Sequence, residues 1–123
     1  MSKTQRQKDL KHYLSSQFPR ISLYDLNIIK TLANSPNLRK LRANDAGWLA
    51  AVSYIRHNYT NYEQHLTNGL DKDTARFLVA QDIKEKLAEW GMYITMDVLT
   101  RPHKSETRAN GKLQLPNKKQ EIP

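Results

Sequence analysis

The sequence predicts a mainly α fold, a small bundle of four to five helices with room for one C-terminal strand and with disordered basic tails. Three observations carry this reading. Apolar residues recur at i, i+3, i+4 and i+7 in successive windows, the spacing of one helix face. Helix-stopping residues separate those windows: Pro19, Asn34-Ser35-Pro36-Asn37, Gly69 and Gly91. Finally, 123 residues with 38% hydrophobic content and a mean hydropathy of −0.78 suffice for one small core and little more.

Leu10, Tyr13, Leu14 and Phe18 share a helical face, so a first helix is expected over about residues 3–17, ended by Pro19. Ser22 and Asp25 are placed to start a second, with Asp25 in the first turn where negative charge meets the helix dipole. Leu26, Ile29, Leu32 and Ala33 continue its face. Leu38 to Arg42 reads as a loop. Asn44 or Asp45 would cap a third helix with Trp48, Ala51, Val52 and Ile55 facing the core. A short helix over about 61–68 precedes Gly69. Asp71 or Asp73 then starts the clearest helix, whose stripe is Ala75, Leu78, Val79, Ile83, Leu87 and Trp90. After Gly91 the period changes: Ile94, Met96 and Val98 alternate with polar residues, as a strand would, and Lys112 to Leu115 is the internal candidate to pair with it. The expected organisation is a helical domain over 1–91, best defined over 43–91, followed by a strand-like segment and a basic, disordered tail over 92–123.

Net charge is +8, and its placement is uneven. Residues 101–123 carry Arg101, Lys104, Arg108, Lys112, Lys118 and Lys119 against Glu106 and Glu121. Lys3, Arg6, Lys8 and Lys11 outnumber Asp9 at the other end, and Arg39, Lys40 and Arg42 form a compact cluster before the third helix. The 71–91 helix is close to neutral. Basic segments of this kind favour polyanions through counterion release.

Residues 55–63, Ile-Arg-His-Asn-Tyr-Thr-Asn-Tyr-Glu, are the densest cluster of chemistry. Thr60 and Glu63 fit a capping box, which makes Arg56 and His57 the last turn of one helix, where cations meet exposed carbonyls. The same residues could instead present Arg56, His57 and Tyr59 to a phosphate and an unpaired base. From about Phe18 to Gly91 the chain resembles an uncharacterised bacterial family known only as a domain of unknown function. The resemblance rests on an Arg-His-x-x-Thr-x-Tyr-Asp/Glu core, met by Arg56, His57, Thr60, Tyr62 and Glu63. An Asp-x-Asp/Glu-x-Ala-Arg run follows, met by Asp71, Asp73, Ala75 and Arg76, and then a helix ending in Trp90. It implies a single helical domain and brings no activity with it.

Several functions are excluded or disfavoured. Without cysteine there is no disulfide framework, thiol nucleophile or thiolate metal site. His12, His57, His65 and His103 lack the spacing of a helix-borne zinc site, and the four isolated glycines form no phosphate loop. A His57–Glu63 general acid–base pair is conceivable, with Arg56 holding an anion, but the helix junction accounts for the same residues. No catalytic residue, metal or cofactor is assigned. No apolar run spans a membrane, no secretory leader is expected, and a cytoplasmic location fits. The resulting expectation is a nucleic-acid-associated binding module with DNA or RNA as partner, contacted by Arg39, Lys40, Arg42, Arg56, His57 and Tyr59. The competing reading is a protein-interaction adaptor or phage or mobile-element accessory protein that pairs, or self-associates, through the 92–99 strand.

Overall fold

Thr4 fixes the start of the first helix. Its hydroxyl accepts from the Gln7 amide at 3.1 Å while the Gln7 side chain accepts from the Thr4 amide at 3.2 Å, a reciprocal cap that satisfies two otherwise open donors. This computed structural model describes residues 4–100. Six helices follow one another: α1 (Gln5–Gln17), α2 (Leu23–Ala33), α3 (Ala43–Asn58), α4 (Tyr62–Thr67), α5 (Lys72–Trp90) and α6 (Met96–Thr100). Four of them exceed six residues, and no strand occurs among the described residues.

The helix α3 is the axis of the domain, with α1, α2 and α5 all packed against it, α5 bringing Trp90 onto Tyr54. Its inner surface is built from small residues, Ala43, Ala46, Gly47, Ala50 and Ala51, all buried. Gly47 lets α1 come close: a Cβ there would sit 2.8 Å from Tyr13 Cδ2 and 3.2 Å from Leu10 Cδ1. Leu10, Leu14 and Phe18, the face read from sequence, are fully buried and each withdraws about 1.5–3 kcal/mol of apolar surface from water.

Phe18 closes the bundle at its other end. Its ring meets the edge of Trp90 at a centroid distance of 5.5 Å, and Trp90 in turn stacks on Tyr54 at 6.4 Å. Arg20 secures the same seam, donating to the carbonyls of Glu89 at 3.2 Å and Ala88 at 2.8 Å and to the Tyr93 hydroxyl at 2.7 Å. These carbonyls lie in the last turn of α5, where Ala88 also accepts from the Gly91 amide, so Arg20 caps that helix from across the chain. Gly91 ends α5 with φ +103°, and a Cβ there would lie 2.7 Å from Pro19 Cγ.

Three expectations change. The alternating segment 92–99 is not a strand: residues 92–95 are irregular and 96–100 form α6, which packs on α5 with Leu99 half-buried. An all-helical domain offers no sheet edge for such a strand, and three alternating apolar residues fit a short helix as well. The proposed mate, Lys112 to Leu115, lies outside the described residues. Leu78 leaves the core stripe of α5 and is 49% exposed, while Ala80 joins it. The cap of α3 is Arg42, two and three residues before the Asn44 and Asp45 expected to cap it, and no side chain caps it.

Candidate functional site

Local geometry at the end of α3 sends its last side chains to two sides. Tyr59 is the C-terminal cap and its amide donates to the Ile55 carbonyl at 2.8 Å. The Asn58 amide donates to the Tyr54 carbonyl at 3.0 Å, and the Thr60 hydroxyl to the Arg56 carbonyl at 2.5 Å. The Tyr54, Ile55 and Arg56 carbonyls thus take their donors from Asn58, Tyr59 and Thr60, and the Arg56 and His57 side chains make other contacts.

On the side facing α2 and α5 lies a buried polar network. Asp25, 6% exposed, is the one charged side chain in the buried class among the described residues. Its Oδ1 accepts from the Tyr54 hydroxyl at 2.5 Å and from the Tyr59 hydroxyl at 2.9 Å. Ser22 caps α2 beneath it by accepting from the Asp25 amide at 3.1 Å. Lys86 closes the top, its ammonium 4.1 Å from the Tyr59 ring centroid and 3.1 Å from Glu89. Burial alone raises the Asp25 carboxyl, but the bonds from Tyr54, Tyr59 and Ser22 and the Lys86 charge outweigh it and hold it below the usual carboxylate range. Burial, and then the bond to Asp25, push the Tyr54 hydroxyl far above its ordinary value. The Tyr13 hydroxyl, buried and near Asp45, is pushed up to about 12. Neither tyrosine ionises near neutral pH.

On the opposite side, Tyr62 is buried between the Arg56 and His57 side chains. The Arg56 guanidinium lies 5.5 Å from its ring centroid, and the His57 ring meets its edge at 5.3 Å. The His57 Nδ1 lies 2.5 Å from Glu63 Oε2, with the two side chains 42% and 65% exposed. This overturns the capping box. The cap of α4 is Asn61 without a side-chain bond, Thr60 accepts from the Tyr62 amide at 3.2 Å, and the Glu63 carboxylate turns back to His57. The chain between α3 and α4 is too tight for Thr60 to reach the third amide of the next helix while holding the Arg56 carbonyl. Asp71 caps α5, Asp73 is exposed in its first turn, Arg76 is half-buried, and Trp90 lies in the core.

The remaining cations sit at the far end of the domain. Between α2 and α3 the chain runs through successive turns, with Leu38 and Leu41 packed against the core and Arg39, Lys40 and Arg42 all exposed. Arg6 of α1 fixes this loop: Nε donates to the Leu41 carbonyl at 3.1 Å, Nη2 to the Ala33 and Leu38 carbonyls at 3.1 Å, and Nη1 to Asn34 Oδ1 at 2.7 Å. By position Arg6 belongs with the N-terminal charges; in the fold it is a clamp. Among the described residues Arg39, Lys40 and Arg42 make no ion pair. They are separated from Arg56 and His57 by the length of α3, about 20 Å at 1.5 Å per residue. The six expected nucleic-acid contacts therefore fall into two groups at opposite ends of one helix.

The model of a family described as an uncharacterized conserved protein, DUF2293, matches residues 13–91. The chain belongs to this family. The DUF2293 match covers the α3–α4 corner, the Asp25 network and the basic loop, and leaves out Arg6 and α6. No curated protein and no solved structure matches the chain.

Chemically, the DUF2293 domain presents two kinds of cation. Those at the corner are committed to rings and carboxylates of the same domain, while those on the loop face solvent. Among the described residues no three His, Asp or Glu side chains gather as a metal site requires, and no helix is long and apolar enough to cross a membrane. Sequence reading missed Tyr54 and the burial of Asp25. The available signal was a tyrosine pair five residues apart at the end of a helix, whose hydroxyls need a hydrogen-bond acceptor wherever the rings are buried.

Proposed function

We propose that this domain binds the phosphate backbone of nucleic acid through the loop between α2 and α3. The observation that carries the reading is the outward presentation of Arg39, Lys40 and Arg42 on a loop whose carbonyls are tied down by Arg6. A fixed loop spends less conformational entropy when phosphates engage it than a free one would. The net charge of +8 adds long-range attraction without sequence reading. Such contacts position a protein on a duplex or strand; nothing in the loop reads base edges.

Fluorescence anisotropy with labelled duplex DNA, single-stranded DNA and a structured RNA tests the reading. Affinity falls linearly with salt on a double-logarithmic plot, and Arg39→Ala/Lys40→Ala/Arg42→Ala lowers the slope by about 2–3, at roughly 0.7–0.9 per phosphate contact. Absence of salt-dependent binding to all three probes overturns the proposal. An unchanged slope in the triple variant overturns the assignment to the loop.

A further inference from the structure

The outer face of α5 differs from the rest of this basic chain. Phe77 and Leu78 stand 65% and 49% exposed there. At about 100° per residue, Asp73, Asp82, Glu85 and Glu89 share that face with them, all exposed; half-buried Lys84 falls between Asp73 and Phe77, and Glu89 is paired with Lys86 at 3.1 Å. The result is an apolar patch rimmed by acids on a protein of net charge +8. Two such faces applied to each other would set acid against acid, which disfavours a symmetric pair of copies. A basic segment carrying apolar residues matches the face in both respects.

The chain holds such a segment at the right place. Helix α6 packs on α5 and ends at Thr100, so residues 101–123 are tethered to a helix that touches α5. Lys112-Leu113-Gln114-Leu115 is followed by Lys118 and Lys119, two leucines set among three lysines. From Thr100 to Leu113 an extended chain reaches about 43 Å at roughly 3.3 Å per residue. The helix α5 is about 28 Å long, so the segment can reach any part of it. We propose that residues 112–119 dock on the outer face of α5 of the same chain, Leu113 and Leu115 against Phe77 and Leu78, and the lysines against the acidic rim. The docking is independent of nucleic-acid binding.

The absence of cysteine makes the test direct. A nitroxide label on Asn117→Cys is unique in the full chain, and a dilute isotope-labelled sample reports paramagnetic broadening at every amide. The amides of Phe77, Leu78 and Gln81 lose most of their intensity while those of α1 keep theirs. The loss is reversed by Leu113→Ser/Leu115→Ser, which lies outside the helical core. It weakens in 1 M salt, where charge interactions are screened within about 3 Å. Broadening that is absent, or spread evenly over the helices, overturns the proposal. Broadening that appears only when labelled and spin-labelled chains are mixed also overturns it, because a second copy is then the occupant.

Discussion

Replacing Tyr54 with phenylalanine isolates the one buried charge of the domain. The ring stays: it is 5% exposed and stacked on Trp90, and phenylalanine preserves both its area and that contact. What is lost is the 2.5 Å hydrogen bond to Asp25, which leaves a buried carboxylate with one donor fewer. Hydrogen bonds to charged groups contribute about 1.5–3 kcal/mol, so Tyr54→Phe costs about 2 kcal/mol at pH 7. For a domain of this size that lowers Tm by about 8–16 °C. The Asp25 carboxyl is held below its unfolded value, so its contribution is present above the unfolded pKa of about 3.9 and is lost as pH falls through the lower folded value. The deficit of Tyr54→Phe therefore shrinks in acid, toward the 1 kcal/mol or so of a neutral bond. Urea denaturation followed by tryptophan fluorescence, at pH 7 and in steps down toward pH 3, measures both quantities. A deficit under about 0.5 kcal/mol at pH 7, or one that stays constant or grows in acid, refutes the reasoning.

At the corner, Thr60→Val removes the bridge between the Arg56 carbonyl and the Tyr62 amide and costs about 1–2 kcal/mol, whereas Glu63→Gln, which weakens only an exposed pair, costs less than about 1 kcal/mol; equal losses in urea melts would restore the capping box. Arg6→Lys keeps the charge but gives up the planar fork that serves four acceptors, so it costs about 2 kcal/mol, and amide hydrogen exchange speeds up at Leu38 and Leu41; stability equal to wild type would show that the loop holds its shape without the clamp.

How much of this was legible in sequence depended on range. The helices α1, α2, α3 and α5 follow from apolar spacing within single windows, and Ser22 and Gly91 mark their ends by local backbone chemistry. Leu38 and Leu41 separate the loop cations from the core at a spacing visible in the chain. The failures share one cause. Asp25 is a first-turn acid by sequence, and its burial depends on hydroxyls 29 and 34 residues away. Arg6 looks like surface charge until the carbonyls 27 to 35 residues on are in view. Segment 92–99 has a two-residue alternation that fits either period over so short a run, and only the absence of an open sheet edge decides it. The Thr60–Glu63 spacing satisfies the capping rule, but His57 competes for the carboxylate and wins.

The seam made by Phe18, Arg20 and Trp90 bears on how the domain can fold as it is synthesised. The bonds of Arg20 reach 68 to 73 residues forward, and Phe18 has no Trp90 to cover it until the end of α5 exists. At about 5–20 residues per second a ribosome needs several seconds to supply that stretch. During those seconds α1, α2 and α3 can pair, but Phe18 is left uncovered on that side and the Asp25 carboxylate lacks the nearby Lys86 charge. The last part of α5 is therefore the keystone: a chain stalled before Trp90 exposes an aromatic surface that a finished one never shows.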